Sequence, residues 1–449
     1  MASLRKDLTK DELGRKVLRY RWIIFWIVAV AYLGAFFHRI APAVVALDLQ
    51  ESFGASAGLI GLLASAYFYS YAAIQFPAGL LSDSLGPRKT VSLFMVVAGL
   101  GSILFGIAPT LELSLLGRIL VGLGVGVVFT STMKLLAVWF RLHEFSRMNG
   151  IFIAMGGVGA LSAAAPLAWI TEWIGWRASF GIIGGATVLL AAVVWLLVRD
   201  SPKEMGWPSV SELDNLGPVK APTTSRISLR DGVRLVLTNK YFWPLAVWSF
   251  CSVGAAMAFG GLWAGPYLRH VYGMSRAEAG SVLNMLAVGI IIGGPLAGYL
   301  SEKVFRSRKK PLMVGSALFV AHMAVVDLFP SELPVWGMYL MILIFPVFSI
   351  APAVVSVTSV KELFPIGMTG TAIGTVNLFP FAGAAVMQLG MGWALDWHGP
   401  SASGAYPVDA YSLVLRFLLI AAAVSLACTF FMKETFPQTR REFADALPS

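Results

Sequence analysis

Two ionisable residues, His38 and Arg39, stand side by side within an apolar segment covering residues 22–47. In a spanning helix such groups are costly and are functional candidates by default. Arginine does not easily discharge, so Arg39 must face a cavity, a partner or an anion. It lies about 25 Å of helix rise beyond Trp22, past the middle of a bilayer. The chemistry open to it is binding of a carboxylate or phosphate; a structural salt bridge or snorkelling to the nearer surface are the alternatives. Imidazole titrates near neutral pH, so His38 could carry a proton, or it could be a hydrogen-bonded packing residue. Lys134, also within an apolar segment, either snorkels toward the end of its span or adds positive charge to a cavity.

Tyr67, Tyr71 and Gln75 recur at i, i+4 and i+8 and share one helix face. Tyrosines facing a cavity can hydrogen-bond a polar solute and stack on its apolar part; packing against another helix is the plainer use. Later in the chain, Phe259-Gly260-Gly261-Leu262-Trp263-Ala264-Gly265-Pro266-Tyr267 is dense enough in glycine to bend, with Trp263 as a possible cavity wall. Asn284, Asn377 and Gln388 are the amide candidates, and residues 377–383, with Pro380 among them, are expected to bend or partly unwind. His322, Asp327 and Arg416 read as interfacial. Positive charge therefore gathers on one side only, which favours a small monoanion with an apolar part over a polyvalent anion.

These residues need helices to hold them. Of the 449 residues 57% are hydrophobic and only 13% are charged, against roughly a quarter charged in soluble domains. Apolar segments long enough to span a bilayer fall at 22–47, 57–81, 90–108, 111–138, 146–170, 178–198, 242–268, 277–301, 311–328, 334–360, 368–395 and 410–432. The fold class is thus an all-α membrane protein of twelve spans around a central cavity. Residues 1–21 form an N-terminal segment, 22–198 a first six-helix half, 199–240 a polar linker with a surface helix near 229–237, 241–433 a second half, and 434–449 a tail. The apolar run at 22–47 is too long for a cleaved signal peptide. Cys251 and Cys428 lie in apolar segments and read as packing residues.

Basic residues place the loops. One set of alternate loops holds only Arg177, Arg269 and Arg276, while both termini and the other loops are rich in Lys and Arg. This positive-inside pattern puts both termini in the cytoplasm and accounts for the net charge of +10 without a nucleic-acid partner. Ala78-Gly79-Leu80-Leu81-Ser82-Asp83, followed by Gly86-Pro87-Arg88-Lys89, is echoed by Ala297-Gly298-Tyr299-Leu300-Ser301-Glu302, followed by Arg306-Ser307-Arg308-Lys309-Lys310. The echo, about half a chain away and on the same side, describes two parallel halves.

Gly79-x-x-x-Asp83-x-x-Gly86-x-Arg88-Lys89 after span 2, Arg118-x-x-x-Gly122-x-Gly124-x-Gly126 in span 4, Trp139-Phe140 and Trp176-Arg177 resemble the signatures of the major facilitator superfamily, and the resemblance covers essentially the whole chain. It implies a conformational latch of Gly79, Asp83 and Arg88, with Asp83 approaching the helix start near Met368 and able to pair with Arg88. Glu302 is its second-half echo, and Arg118 has a structural or coupling role. It also implies that Arg39 contacts an anionic substrate, as in organic-anion symporter branches; those often carry an aspartate where this chain has His38, which leaves the proton-coupling acid open. The expected substrate-contact set is Arg39, His38, Tyr67, Tyr71, Lys134, Trp263, Asn284 and Asn377.

With no phosphate-binding loop, metal-ligand cluster or catalytic constellation in the sequence, the reading is a non-enzymatic, cofactor-free secondary transporter of the inner (plasma) membrane. It is expected to be monomeric and to take up a small organic anion with a proton or other coupling ion. An exporter of an amphipathic metabolite, drug or siderophore is the alternative on the same fold, and a transporter-like sensor that moves nothing is the alternative from another class.

Overall fold

The computed structural model describes residues 10–213, 229–364, 369–401 and 404–436. The expected N-terminal segment, linker and tail therefore lie partly outside the described residues. Within them the chain is helical without strands, as lipid requires of a segment that must satisfy its own backbone. Eleven apolar helical runs are long enough to cross a membrane, and the longest, Arg147–Leu197, has 51 residues. Gly175, at φ 77° and ψ 161°, breaks that run. It is therefore two spans, and twelve result among the described residues.

The chain divides into two compact units, Met1–Thr223 with Ser275–Asn284, and Thr224–Met274 with Met285–Ser449. The first contains α1 (Lys10–Ile40), α2 (Pro42–Phe53), α3 (Ala57–Leu85), α4 (Pro87–Ile107), α5 (Leu111–Gly126), α6 (Val128–Trp139), α7 (Leu142–Ser162) and α8 (Ala165–Leu197). Span 1 is α1 and α2 together, interrupted at Pro42, whose missing N–H cannot continue the ladder. Ser56 caps α3, its side chain accepting from Leu59 N at 3.4 Å. Phe25, Val28, Tyr32, Trp139 and Phe152 lie in one buried cluster that joins α1, α6 and α7. Arg276, counted with this unit, pairs with Asp48 on α2.

The glycines of α5 explain its signature. A methyl group on Gly122 would stand 2.1 Å from Ser70 Oγ and 2.3 Å from the Tyr67 carbonyl, and one on Gly126 would stand 2.2 Å from Ile74, all on α3. On Gly124 it would stand 2.4 Å from the Phe94 carbonyl on α4. Alternate glycines thus seat α5 between two neighbours, the close packing that small residues permit in membranes.

In the second unit Phe242–Trp248 begins a continuous helical run to Tyr272, with wider π-type turns at Ser249–Val253 and Phe259–Trp263. The glycine-dense stretch thus alters its winding where bending was expected. Residues 377–383 behave differently: Thr369–His398 stays helical through Pro380, so the expected unwinding does not occur. The surface helix is present as Leu229–Thr238.

Gly122→Ala is expected to force α5 off α3 and to destabilise the protein by about 1–3 kcal/mol. Thermal unfolding in detergent checks this, with Gly150→Ala as control, because a methyl group there meets nothing within 4 Å.

Candidate functional site

Arg39 lies near the end of α1 and is buried, 5% exposed. Its guanidinium carbon sits 4.3 Å from the Phe36 ring centroid and 5.1 Å from that of Tyr71. It hydrogen-bonds Tyr67, and Tyr32 is a further ionisable neighbour. Tyr67 and Tyr71 stack at 5.8 Å, and the Tyr67 hydroxyl donates to the Ala35 carbonyl at 3.4 Å. Aromatic faces attract a desolvated cation by up to about 2 kcal/mol each, so this box holds the charge, while the single Tyr67 proton goes to Ala35. The sequence reading found Arg39, Tyr67 and Tyr71. It missed Tyr32 and Phe36, although Tyr32, Phe36 and Arg39 stand at i, i+4 and i+7 on α1.

His38 points to another element. Its Nε2 lies 3.2 Å from Thr187 Oγ1 on α8, and that hydroxyl gives its single proton to the Ile183 carbonyl at 2.8 Å. The threonine oxygen can then only accept, so His38 carries its proton on Nε2 and leaves Nδ1 as the nitrogen able to take another.

Arg118, 1% exposed, joins the same group. Its Nη1 donates to the His38 carbonyl at 3.1 Å, and its guanidinium carbon lies 4.9 Å from the Tyr67 ring centroid. Among the described residues no carboxylate pairs with it, and its Nε has no hydrogen-bond partner. His38, Arg39, Tyr67, Tyr71 and Arg118 therefore form one constellation within the first unit.

Lys134 is engaged elsewhere. Its Nζ contacts Asp83 Oδ1 at 2.8 Å and the Ser82 carbonyl at 2.9 Å. Lys134 thus reaches toward a helix end, the first of its two expected alternatives, and is not part of the Arg39 constellation, while Asp83 meets Lys134 rather than Arg88. Arg88 instead donates its Nε to the Trp195 carbonyl at 2.8 Å, while its backbone N–H reaches Asp200 Oδ1 at 2.6 Å. Gly86, at φ 88°, is required here, because a methyl group would stand 2.1 Å from Asp200 Oδ2. Gly79 has no such contact, since a methyl there meets nothing within 4 Å. Met368 lies outside the described residues.

The second copy has its own set of acids. Glu302 is exposed and only 4.0 Å from Arg308. Arg308 pairs through Nε and Nη2 with Glu362, at 2.9 Å in the closest contact. Glu434 Oε1 accepts from the Arg308 backbone at 2.7 Å. Asp200 and Glu434, each just past the sixth span of its half, thus cap equivalent helix starts, where the dipole favours an anion. Their environments differ. Burial raises the Asp200 pKa, outweighing the Arg88 N–H. At Glu434 burial also pushes upward, but the Ser307 hydroxyl and three backbone N–H groups prevail and the pKa is lowered.

Trp263 is buried and spends its indole N–H on the Gln388 carbonyl at 3.0 Å. Asn377 is half-buried on Thr369–His398. Asn284 is half-buried and its Oδ1 makes no hydrogen bond among the described residues.

Twelve apolar helices in two units, with cations buried among aromatic side chains, define a multi-pass membrane protein of the transporter class. The family model of the Major Facilitator Superfamily matches residues 24–388, and the chain belongs to that family. It is 24% identical over 414 residues, 88% of this chain and 90% of the relative, to a probable hexose phosphate transport protein of Chlamydia muridarum. It is 23% identical over 429 residues, 89% of this chain and 94% of the relative, to the probable galactarate/D-glucarate transporter of Escherichia coli K12. A bacterial homolog of the human lysosomal transporter Spinster, solved inward-facing and unoccupied, superposes with a TM-score of 0.73 at 18% identity, covering 92% of this chain and 98% of that one.

Asp83→Asn is expected to change stability by about 0.5 kcal/mol or less, because the carboxylate is 73% exposed. It should alter transport rate more than substrate affinity; parallel binding and uptake assays separate the two.

Proposed function

We propose that this transporter carries a small organic anion and that Arg39 is the group that meets it. The observation that carries this is a permanently charged guanidinium, buried and walled by Phe36, Tyr71, Tyr67 and Tyr32. An anion arriving there gains a charge-assisted, bidentate hydrogen bond in a low dielectric, and the Tyr32 phenol is the proposed further donor. The cargoes named for the relatives, a hexose phosphate and the sugar diacids galactarate and D-glucarate, are hydroxylated anions. They support the class and widen it beyond an apolar monoanion. Trp263, Asn284 and Asn377 are the proposed contacts on the rest of the path.

The reading includes alternating access, uptake driven by a proton or other coupling ion, a non-enzymatic role, and an inner membrane location with both termini cytoplasmic, which the basic loops support. His38 Nδ1 is the proposed proton site on the first unit. The latch role proposed for Asp83 is now shared with Lys134.

Purified protein is expected to gain thermal stability with glucose 6-phosphate, D-glucarate or a hydrophobic monocarboxylate, and none with glucose. Arg39→Ala should weaken the effective anion by about 10- to 100-fold, the equivalent of losing a charged hydrogen bond of 1.5–3 kcal/mol. An anion that binds Arg39→Ala as tightly as wild type would sink the proposal. Right-side-out vesicles with an imposed pH gradient test direction: accumulation driven by an inward proton gradient is the expected outcome, and outward movement favours an exporter.

A further inference from the structure

The break between α1 and α2 leaves one backbone group in need. In an unbroken helix the His38 carbonyl accepts from the N–H four residues on, and that residue is Pro42, which has none. The neighbouring bond, from Ala41 N to the Phe37 carbonyl, is intact at 3.0 Å. An orphaned carbonyl deep among helices costs free energy comparable to a lost hydrogen bond unless another donor reaches it. Arg118 Nη1 does so at 3.1 Å from α5.

We infer that Arg118 is a positioning residue for the substrate site: its guanidinium replaces the N–H that Pro42 lacks, and so fixes the helix break on which Arg39 stands. The inference rests on the reading of Arg39 as the anion contact. Three features of the first unit carry it. The carbonyl belongs to the residue immediately before Arg39. Arg118 also lies over the Tyr67 ring, and Tyr67 hydrogen-bonds Arg39, so one phenol registers both cations. Finally, the spacing is set by α5 itself, because Gly122, one helical turn after Arg118, meets the Tyr67 carbonyl at near contact. Arg118 meets no carboxylate among the described residues, so its full charge is available to the polarised carbonyl and the aromatic face.

The role is separable from a merely structural one because it names a partner that can be supplied another way. Pro42→Ala restores an N–H at the residue His38 needs. With Pro42 present, Arg118→Gln should lower the unfolding temperature of the ligand-free protein by several degrees. In the Pro42→Ala background the same substitution should cost clearly less. Position is read without ligand by phenylglyoxal labelling of Arg39, followed by mass spectrometry: slow in wild type, several-fold faster in Arg118→Gln, and returned toward wild type in Arg118→Lys, which keeps a charged donor. With glucose 6-phosphate or D-glucarate as probe, Arg118→Gln should raise the Michaelis constant at least tenfold while changing turnover less. Equal cost of Arg118→Gln in both backgrounds, with Arg39 labelling unchanged, overturns the inference. Unaltered binding in Arg39→Ala overturns the anion role of Arg39 instead, and leaves the stability cycle and the labelling to decide Arg118 alone.

Discussion

Burying a guanidinium in an apolar helix bundle is the constraint from which the first unit follows. The group cannot shed its proton at working pH, so its charge must be met where it stands. A carboxylate would neutralise it and remove its attraction for a ligand. Aromatic faces and backbone carbonyls hold it without neutralising it. Phe36, Tyr71 and Tyr67 lie around Arg39, and Tyr67 with the His38 carbonyl lies around Arg118. Other cations meet carboxylates: Arg21 pairs with Glu144 at 2.8 Å, Lys134 with Asp83, and Arg308 with Glu362.

The helical frame is arranged around that solution. Pro42 interrupts span 1 one turn past His38 and Arg39, and the alternating glycines of α5 bring Arg118 to the resulting gap. The same α5 surface that packs tightly on α3 also places Tyr67 between the two cations. Each of these elements would be a defect alone: a proline within a span, glycines in a helix interior, a buried charge. Together each supplies what another lacks, which is the mutual consistency expected of a functional site that departs from local rules.

Much of this was legible in the sequence, and the divide has a physical cause. Spans follow from apolar length alone, and Tyr67 with Tyr71, or Tyr32 with Phe36 and Arg39, follow from helical spacing within one segment. Pairings between distant segments leave no periodic trace. The repeated phrase around Asp83 and Glu302 drew attention to acids inside it, yet the carboxylate that meets Arg88 is Asp200, 112 residues away. Glu362 and Glu434 meet Arg308 from similarly remote places. Gly86 marks the place, because a methyl group there would stand 2.1 Å from Asp200 Oδ2, but nothing around Gly86 in the sequence names that partner. The pairing of Lys134 with Asp83 belongs to the same class, since nothing local distinguishes a lysine that snorkels from one that reaches a neighbouring helix end.

The comparison of the two units shows which parts of the design are scaffold and which are specific. The carboxylate caps recur: Asp200 on the start of Pro87–Ile107 and Glu434 on the start of Lys309–Leu328. Both bind a backbone N–H that any sequence would offer, so the feature survives divergence between the halves even as their pKa shifts take opposite directions. The aromatic box around a buried arginine does not recur at corresponding places among the described residues. In the second unit Trp263 turns its indole N–H to a backbone carbonyl, and Arg416 stands 3.6 Å from Asp327. A feature that both halves keep serves the helices they share. One that a single half keeps serves something the two halves do not share, and the buried arginines of the first unit are where the two differ most.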